Sequence, residues 1–465
     1  MKTHAKIIGT WLVIAALTSS AFTAGAWLRG VQNTSAATQS TSLQANALLK
    51  LMPECSPVSP STASKVASEN RELVGGVLKL LKTHYVEPIT AERETAMARG
   101  AARGMLDSLT DPDSRFLDPT QRELLADAAA GKFHGIGAVL ALRNDKVDKL
   151  EVTKLLVVAP MPGSPAEKAG LQSGDSITHI DGKWIARYDP FKEADLEKLE
   201  KAAYDKEVDW FTYQKAFEEA YKKLKEGLNI SDALQTLTAS SSGEIAIRVE
   251  RPKDGKPVEF KLTCGDTEVD PVTSRALNRG IVYIRIMQFN TRAVKEFAAE
   301  LERARASHAK GFILDLRDNP GGLMDAAADV ASTITGGGVI ASIQDGKGRH
   351  PIVRPQTQAL RTPVVVLVNG GTASVAELVA GTLRDRGAAT IVGTKTFGDG
   401  LTQTPLLLAD GSAAILTTGK MLTAKGFDFD GKGLTPDKEA GQDERQGDTQ
   451  LKEAEKLLLA KLGKA

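Results

Sequence analysis

The chain has 465 residues, 42% hydrophobic and 25% charged, which is ordinary globular make-up and enough for about three domains. Its 59 Lys+Arg and 58 Asp+Glu leave a formal charge of +1, and no basic stripe is interleaved with aromatics, so a broad nucleic-acid surface is excluded. Two cysteines and six histidines fall in no metal-ligand spacing, so no metal site and no cofactor are implied.

Lys2, His4 and Lys6 precede an apolar stretch, Ile7–Leu17, and small residues that include Ala24-Gly25-Ala26. This pattern predicts a signal peptide over 1–26 or, if uncleaved, an anchor, since a bilayer needs about 20 mostly apolar residues. The protein is then expected to be exported, to a periplasmic or extracellular space. A disulfide between Cys55 and Cys264 is allowed there, and their spacing leaves it open. Residues 27–65, rich in Ser, Thr, Ala and Gln, read as a linker.

From 66 to 130 the pattern is helical, with Leu73, Val77, Leu80 and Leu81, then Met97, Ala101 and Met105, at helix spacing. Residues 131–265 are strand-rich: strands at Leu155–Val158 and Ile177–Ile180, a short helix at Pro165–Leu171, and a hairpin of Glu244–Arg251 with Val258–Leu262. Inside this region, about 184–230 is strongly charged and carries Tyr204, Trp210, Tyr213, Phe217 and Tyr221 on apolar faces, predicting one or two amphipathic helices. They read either as a solvated helical hairpin or as a surface for an adaptor or self-association.

From 266 to 465 strands and helices alternate. Strands are predicted at Ile281–Met287, Phe312–Leu316, Val364–Val368, Thr390–Val392 and Ala413–Thr417. Helices are predicted at Ala293–Ala306, Met324–Ile334, Ser374–Arg386 and Gln450–Leu462. This alternation predicts an α/β core with crossover connections. Ser374 falls where the buried run Val364–Val368 hands over to a helix. Helix N–H groups and dipole there favour the negative charge of an acyl-transfer intermediate, although Ser374-x-x-Glu377 also reads as a capping box.

Several linked motifs carry a resemblance. Thr372-Ala373-Ser374 with Glu377, Lys395-Thr-Phe-Gly-x-Gly-x-x-Gln403, Leu314–Gly322, Gly163–Asp175 and Asp111–Leu117 stand in the order found in the C-terminal processing peptidases, also called tail-specific proteases. The resemblance implies an α+β multidomain chain: a PDZ-like module plus an α/β peptidase core, with helical N- and C-terminal elements. It implies a serine endopeptidase with Ser374 as nucleophile and Gln403 as the residue that orients the base. The oxyanion donors would come from Gly321, Gly322 and the Val375 N–H. Gly135-Ile136-Gly137 would be the loop that takes a peptide carboxylate, so the implied partners are proteins or peptides with free C-termini.

One position departs from the family. Its lysine base lies between the glycines of Phe-Gly-Lys-Gly, twenty-five residues after the serine; here that place is Asp399. A serine hydroxyl needs a base, and an ordinary aspartate, with a pKa of about 3.9, is a weak one. Three accounts follow. Burial raises the Asp399 pKa and makes it the base; Lys395 swings in to replace the missing amine; or the chain is a pseudo-peptidase that binds tails without cutting them.

Overall fold

The computed structural model describes residues 65–109, 111–147, 150–186, 188, 190–238, 243–251, 256–442 and 447–463. The predicted leader, nearly all of the linker and Cys55 lie outside these. No described helix is long and apolar enough to cross a membrane.

The described residues up to Leu109 form a unit of their own with two helices, α1 (Lys65–His84) and α2 (Ala91–Asp107). The Thr90 hydroxyl caps α2 by accepting the Arg93 N–H, and Lys82 pairs with Glu94 at 2.7 Å.

The second unit begins at Thr110. Strand β1 (Arg115–Leu117) interrupts the stretch that reads as helical, and α3 (Pro119–Ala129) follows behind a capping box of Asp118 and Gln121. The short β2 (Lys132–Phe133) leads into the first large sheet. That sheet is built from β3 (Ala138–Val147), β4 (Leu150–Pro160), β5 (Ser176–Ile180), β6 (Lys183–Trp184), β7 (Glu244–Glu250) and β8 (Pro257–Thr263). Its order is β3-β4-β5-β7-β8, with β6 beside β5, so β3 is an edge strand. Leu155, Val157, Ile177, Ile247 and Val249 point inward against α4 (Pro165–Ala169). The insertion forms α5 (Pro190–Glu193), α6 (Leu196–Tyr204) and α7 (Trp210–Glu226), ahead of α8 (Ile230–Thr238). Along α7, Trp210, Tyr213, Phe217 and Tyr221 form a ladder of ring contacts 5.0 to 6.4 Å apart. Strand β9 (Thr267–Glu268) pairs with β2.

The remaining chain runs β10 (Val272–Ala276), β11 (Ile281–Ile286), α9 (Ala293–Ala306), β12 (Gly311–Asp315), α10 (Met324–Thr335), β13 (Gly338–Asp345), β14 (Gly348–Arg354), β15 (Val364–Val368), α11 (Val375–Asp385), β16 (Ala389–Gly393), β17 (Leu401–Leu407), β18 (Ala413–Leu422), β19 (Lys438–Glu439) and α12 (Thr449–Leu462). One sheet has the order β10-β11-β12-β15-β16-β19, parallel from β11 onward. Alternate residues reach opposite faces. Phe312, Leu314, Val364 and Val366 pack against α9, α10 and α11, while Ile313, Val365 and Leu367 pack against α12. Burial on both faces explains why β12 and β15 are unbroken apolar runs up to Asp315. A second sheet, β1-β18-β13-β14 with β17 beside β18, carries the segment after Ser374 back over the core.

Candidate active site

Parallel strands align their C-terminal ends, so the turns after β12 and β15 lie side by side, where open α/β sheets commonly bind ligands. Ser374 occupies the second turn with φ 56° and ψ −127°, a conformation that costs a side-chain-bearing residue roughly 1–3 kcal/mol. Surrounding bonds hold it there. The Thr372 hydroxyl donates to the Leu316 carbonyl at 2.7 Å, and Ala373 N–H donates to the Asn319 carbonyl at 2.9 Å. Ser374 N–H donates to Glu377 Oε2 at 3.0 Å.

Gly321 makes the close approach feasible. Its φ is +104°, and a Cβ there would be 2.8 Å from the Ser374 Cβ. Gly322, at φ +127°, backs onto the Phe289 carbonyl, which an added Cβ would meet at 2.4 Å. The Gly321 N–H donates to Asn319 Oδ1 at 2.9 Å, so Gly321 contributes room, whereas Gly322 and Val375 present the other two backbone amides of this corner.

The loop after β16 is fastened to the first turn of α11. Glu377, fully buried, accepts the Thr396 hydroxyl, the Gly398 N–H at 2.8 Å and the Asp399 N–H at 2.9 Å besides that of Ser374. Phe397 N–H donates to the Thr372 carbonyl at 3.0 Å. These bonds bring the Asp399 carboxyl into the neighbourhood of the Ser374 hydroxyl, whose interaction with it lowers the carboxyl's pKa.

Lys395 lies exposed on the same loop. Gln403, in β17 at a register irregularity, faces Thr417 across the ladder.

Burial pushes the Asp399 carboxyl up to about 7, and the nearby charges of Asp113 and Asp430 push in the same direction; the Leu401 backbone and the Ser374 hydroxyl oppose them. Glu377 is also raised, to about 7, by burial against the donors that it accepts. Burial together with the charges of Asp111 and Asp430 raises Asp113. Asp430 accepts the Gly400 N–H at 3.3 Å and pairs with Lys420 at 3.4 Å. Sequence reading assigned no role to Asp113 or Asp430; only the β1–β18 pairing and the turn after β18 bring them to Asp399. Among the described residues, no group of three or more His, Cys, Asp or Glu is arranged to hold a metal ion.

Gly135-Ile136-Gly137 precedes the edge strand β3. Gly135 and Gly137 have φ +75° and +68°, and the Ile136 N–H donates to the Leu237 carbonyl at the end of α8 at 3.0 Å. Strand β3 also reaches the loop after β16, where the Arg143 guanidinium lies over the Phe397 ring at 5.8 Å. Cys264 is buried in the core of this module.

Comparison with known proteins agrees with this architecture. Residues 280–440 match the family model of peptidase family S41, and residues 156–193 match that of the PDZ domain. The carboxyl-terminal-processing protease of Synechocystis sp. is 32% identical over 363 residues, covering 77% of this chain and 74% of the relative. The carboxy-terminal-processing protease of Bartonella bacilliformis is 29% identical over 371 residues, 78% of this chain and 73% of the relative. The solved photosystem II D1 C-terminal processing protease is similar with a TM-score of 0.56 at 27% identity, over 80% of this chain and 88% of that one.

Proposed function

Because the chain belongs to the carboxy-terminal processing proteases of peptidase family S41, we propose that it is an exported serine endopeptidase that takes C-terminal or unfolded ends of proteins, with the Asp399 carboxylate as its base. The observation that carries this reading is the placement of the Ser374 hydroxyl beside a carboxyl, that of Asp399, with which it interacts and whose pKa is raised to about 7. Burial lowers an amine and raises an acid, so a buried lysine and a buried aspartate can both reach the range that suits a general base at neutral pH.

In this reading a tail adds along the free edge of β3, with its carboxylate at the Gly135–Gly137 loop, and a bond in the same chain reaches Ser374. Asp399 takes the hydroxyl proton as Oγ attacks the carbonyl carbon. The negative oxygen so formed is met by the Gly322 and Val375 N–H groups. Protonated Asp399 then gives its proton to the leaving amine, and the acyl-enzyme is hydrolysed by a water that Asp399 deprotonates in turn. A lysine base would become a cation beside the oxyanion. Asp399 only loses its own negative charge, so the amide donors carry more of the stabilisation.

A second reading is favoured by the charges of Asp113 and Asp430, which oppose an oxyanion: a pseudo-peptidase that holds tails without cutting them. Incubating the chain and its Ser374→Ala variant with an unfolded test protein decides between the two. Cleavage by the first and not by the second supports the peptidase, while tail binding with no cleavage by either supports the pseudo-peptidase. An adaptor role of α5–α7 would show as loss of partner binding when they are deleted.

A further inference from the structure

At the edge of the parallel sheet opposite Ser374, an open cavity of about 610 Å³ is bounded by Arg279, Lys310 and Arg361 and by the apolar Ala309, Leu459 and Leu462. Arg279 and Lys310 precede β11 and β12, and Arg361 precedes β15, whereas Ser374 follows β15. A five-residue strand separates the two ends by roughly 16 Å. This is therefore a place distinct from the peptidase site, and it takes no part in the mechanism.

Charge is segregated here in a chain that is nearly neutral as a whole. The converging segments 271–281, 303–314, 353–364 and 456–463 contain no Asp or Glu. None of the three cations forms an ion pair with a described residue. Among the described residues, the opposing charge at hand is the C-terminal end of α12, a partial charge of about half a unit against three full ones. The backbone is also strained at this edge: Arg279 and His308 have φ 62° and 56° without being glycines.

We infer that this cavity is a binding site for an organic phosphate, with Arg279, Lys310 and Arg361 meeting its oxygens and Ala309, Leu459 and Leu462 meeting its apolar part. A lone carboxylate would need one of these cations. Three together, two of them guanidiniums that can each hold two oxygens, match a phosphate group. The phosphate is carried either by a soluble molecule or by a lipid headgroup.

The test uses the full chain and its R279Q/K310Q/R361Q variant, with pyrophosphate in a calorimeter and with sedimenting vesicles of phosphatidylglycerol or phosphatidylcholine. The expected result is binding of pyrophosphate, or of phosphatidylglycerol vesicles in excess of phosphatidylcholine ones, weakened on the order of a hundredfold in the variant, at about fivefold per cation. Pyrophosphate binding assigns a soluble ligand, and binding to the anionic vesicles alone assigns a headgroup. Binding should also weaken with salt. Equal binding by the variant, or no binding of either probe by the parent chain, overturns the inference. All three side chains are exposed, so the variant should keep the parent melting temperature; the single R361Q change, read for about a fivefold loss, serves if it does not.

Discussion

Glu377 and Asp399 are joined by a 2.9 Å hydrogen bond from the backbone of one to the carboxylate of the other, across 22 residues of chain. Since the same carboxylate oxygen accepts the Ser374 N–H, one buried side chain sets the position of the nucleophile and of the residue proposed to activate it. Replacing Glu377 by alanine leaves four donors without their acceptor. A single unsatisfied buried donor costs about 1–3 kcal/mol, so a loss of ~3 kcal/mol or more is expected in urea unfolding. Glu377→Gln, which keeps the shape, should lose less stability.

Glu377 also gives a pH dependence of stability. Its folded-state pKa, about 7, lies above its value in the unfolded chain, so the folded state holds the proton more tightly. That contribution is complete below about pH 4.5 and is lost as pH rises through 7. Urea midpoints of the parent chain should therefore fall between pH 5 and pH 8, and the Glu377→Gln variant should show a shallower fall. An unchanged slope would remove Glu377 as the source.

Much of this site was legible before any fold was known, because its signals are local. The β-branched run Val364–Val368 is β15 residue for residue, and the Gly-rich turn and the helix after it follow from short-range pattern. The substitution at Asp399 was visible as a spacing. What sequence did not disclose is the acidity around it. Asp113 arrives because Arg115–Leu117 pairs with β18, and Asp430 because the turn after β18 folds back onto Gly400. Both are tertiary events with no periodicity to announce them. The same cause hid β1, three residues whose strand character comes only from their partner.

If Asp399 is the base, it must be ionised to act. The rate should rise about tenfold per pH unit below 7 and level off above it, in kcat/KM for a tail-bearing peptide. Asp430→Asn removes a neighbouring negative charge, which lowers the Asp399 pKa and shifts this limb toward acid. Asp399→Asn should abolish the limb and cost on the order of a millionfold. Lys395→Ala, on an exposed side chain, should leave the profile where it was.

Restoring the family lysine should not by itself restore activity at neutral pH. Asp113 and Asp430 would favour its ammonium form, holding the proton that the base must shed. Asp399→Lys is thus expected to cleave better at pH 9 than at pH 7, and the double variant with Asp430→Asn to exceed it at pH 7. Full activity of Asp399→Lys at pH 7 would show that these carboxylates exert little force on the site.

The corner at Gly321 separates backbone strain from crowding. Gly411 has φ +81° with nothing within 4 Å of an added Cβ, whereas at Gly321, φ +104°, that atom would be 2.8 Å from the Ser374 Cβ. Alanine at either position strains the backbone by about 1 kcal/mol or more. Only at Gly321 must the nucleophile turn also move, since the obstacle is a backbone-borne carbon with no freedom to swing aside. A displacement of about 1 Å at a reacting atom can cost a hundredfold in rate. Gly321→Ala is therefore expected to lower kcat on that order with KM nearly unchanged, while Gly411→Ala lowers the melting temperature and leaves kcat alone. Equal kcat losses from both would mean that the site responds to global stability, and not to the contact between Gly321 and Ser374.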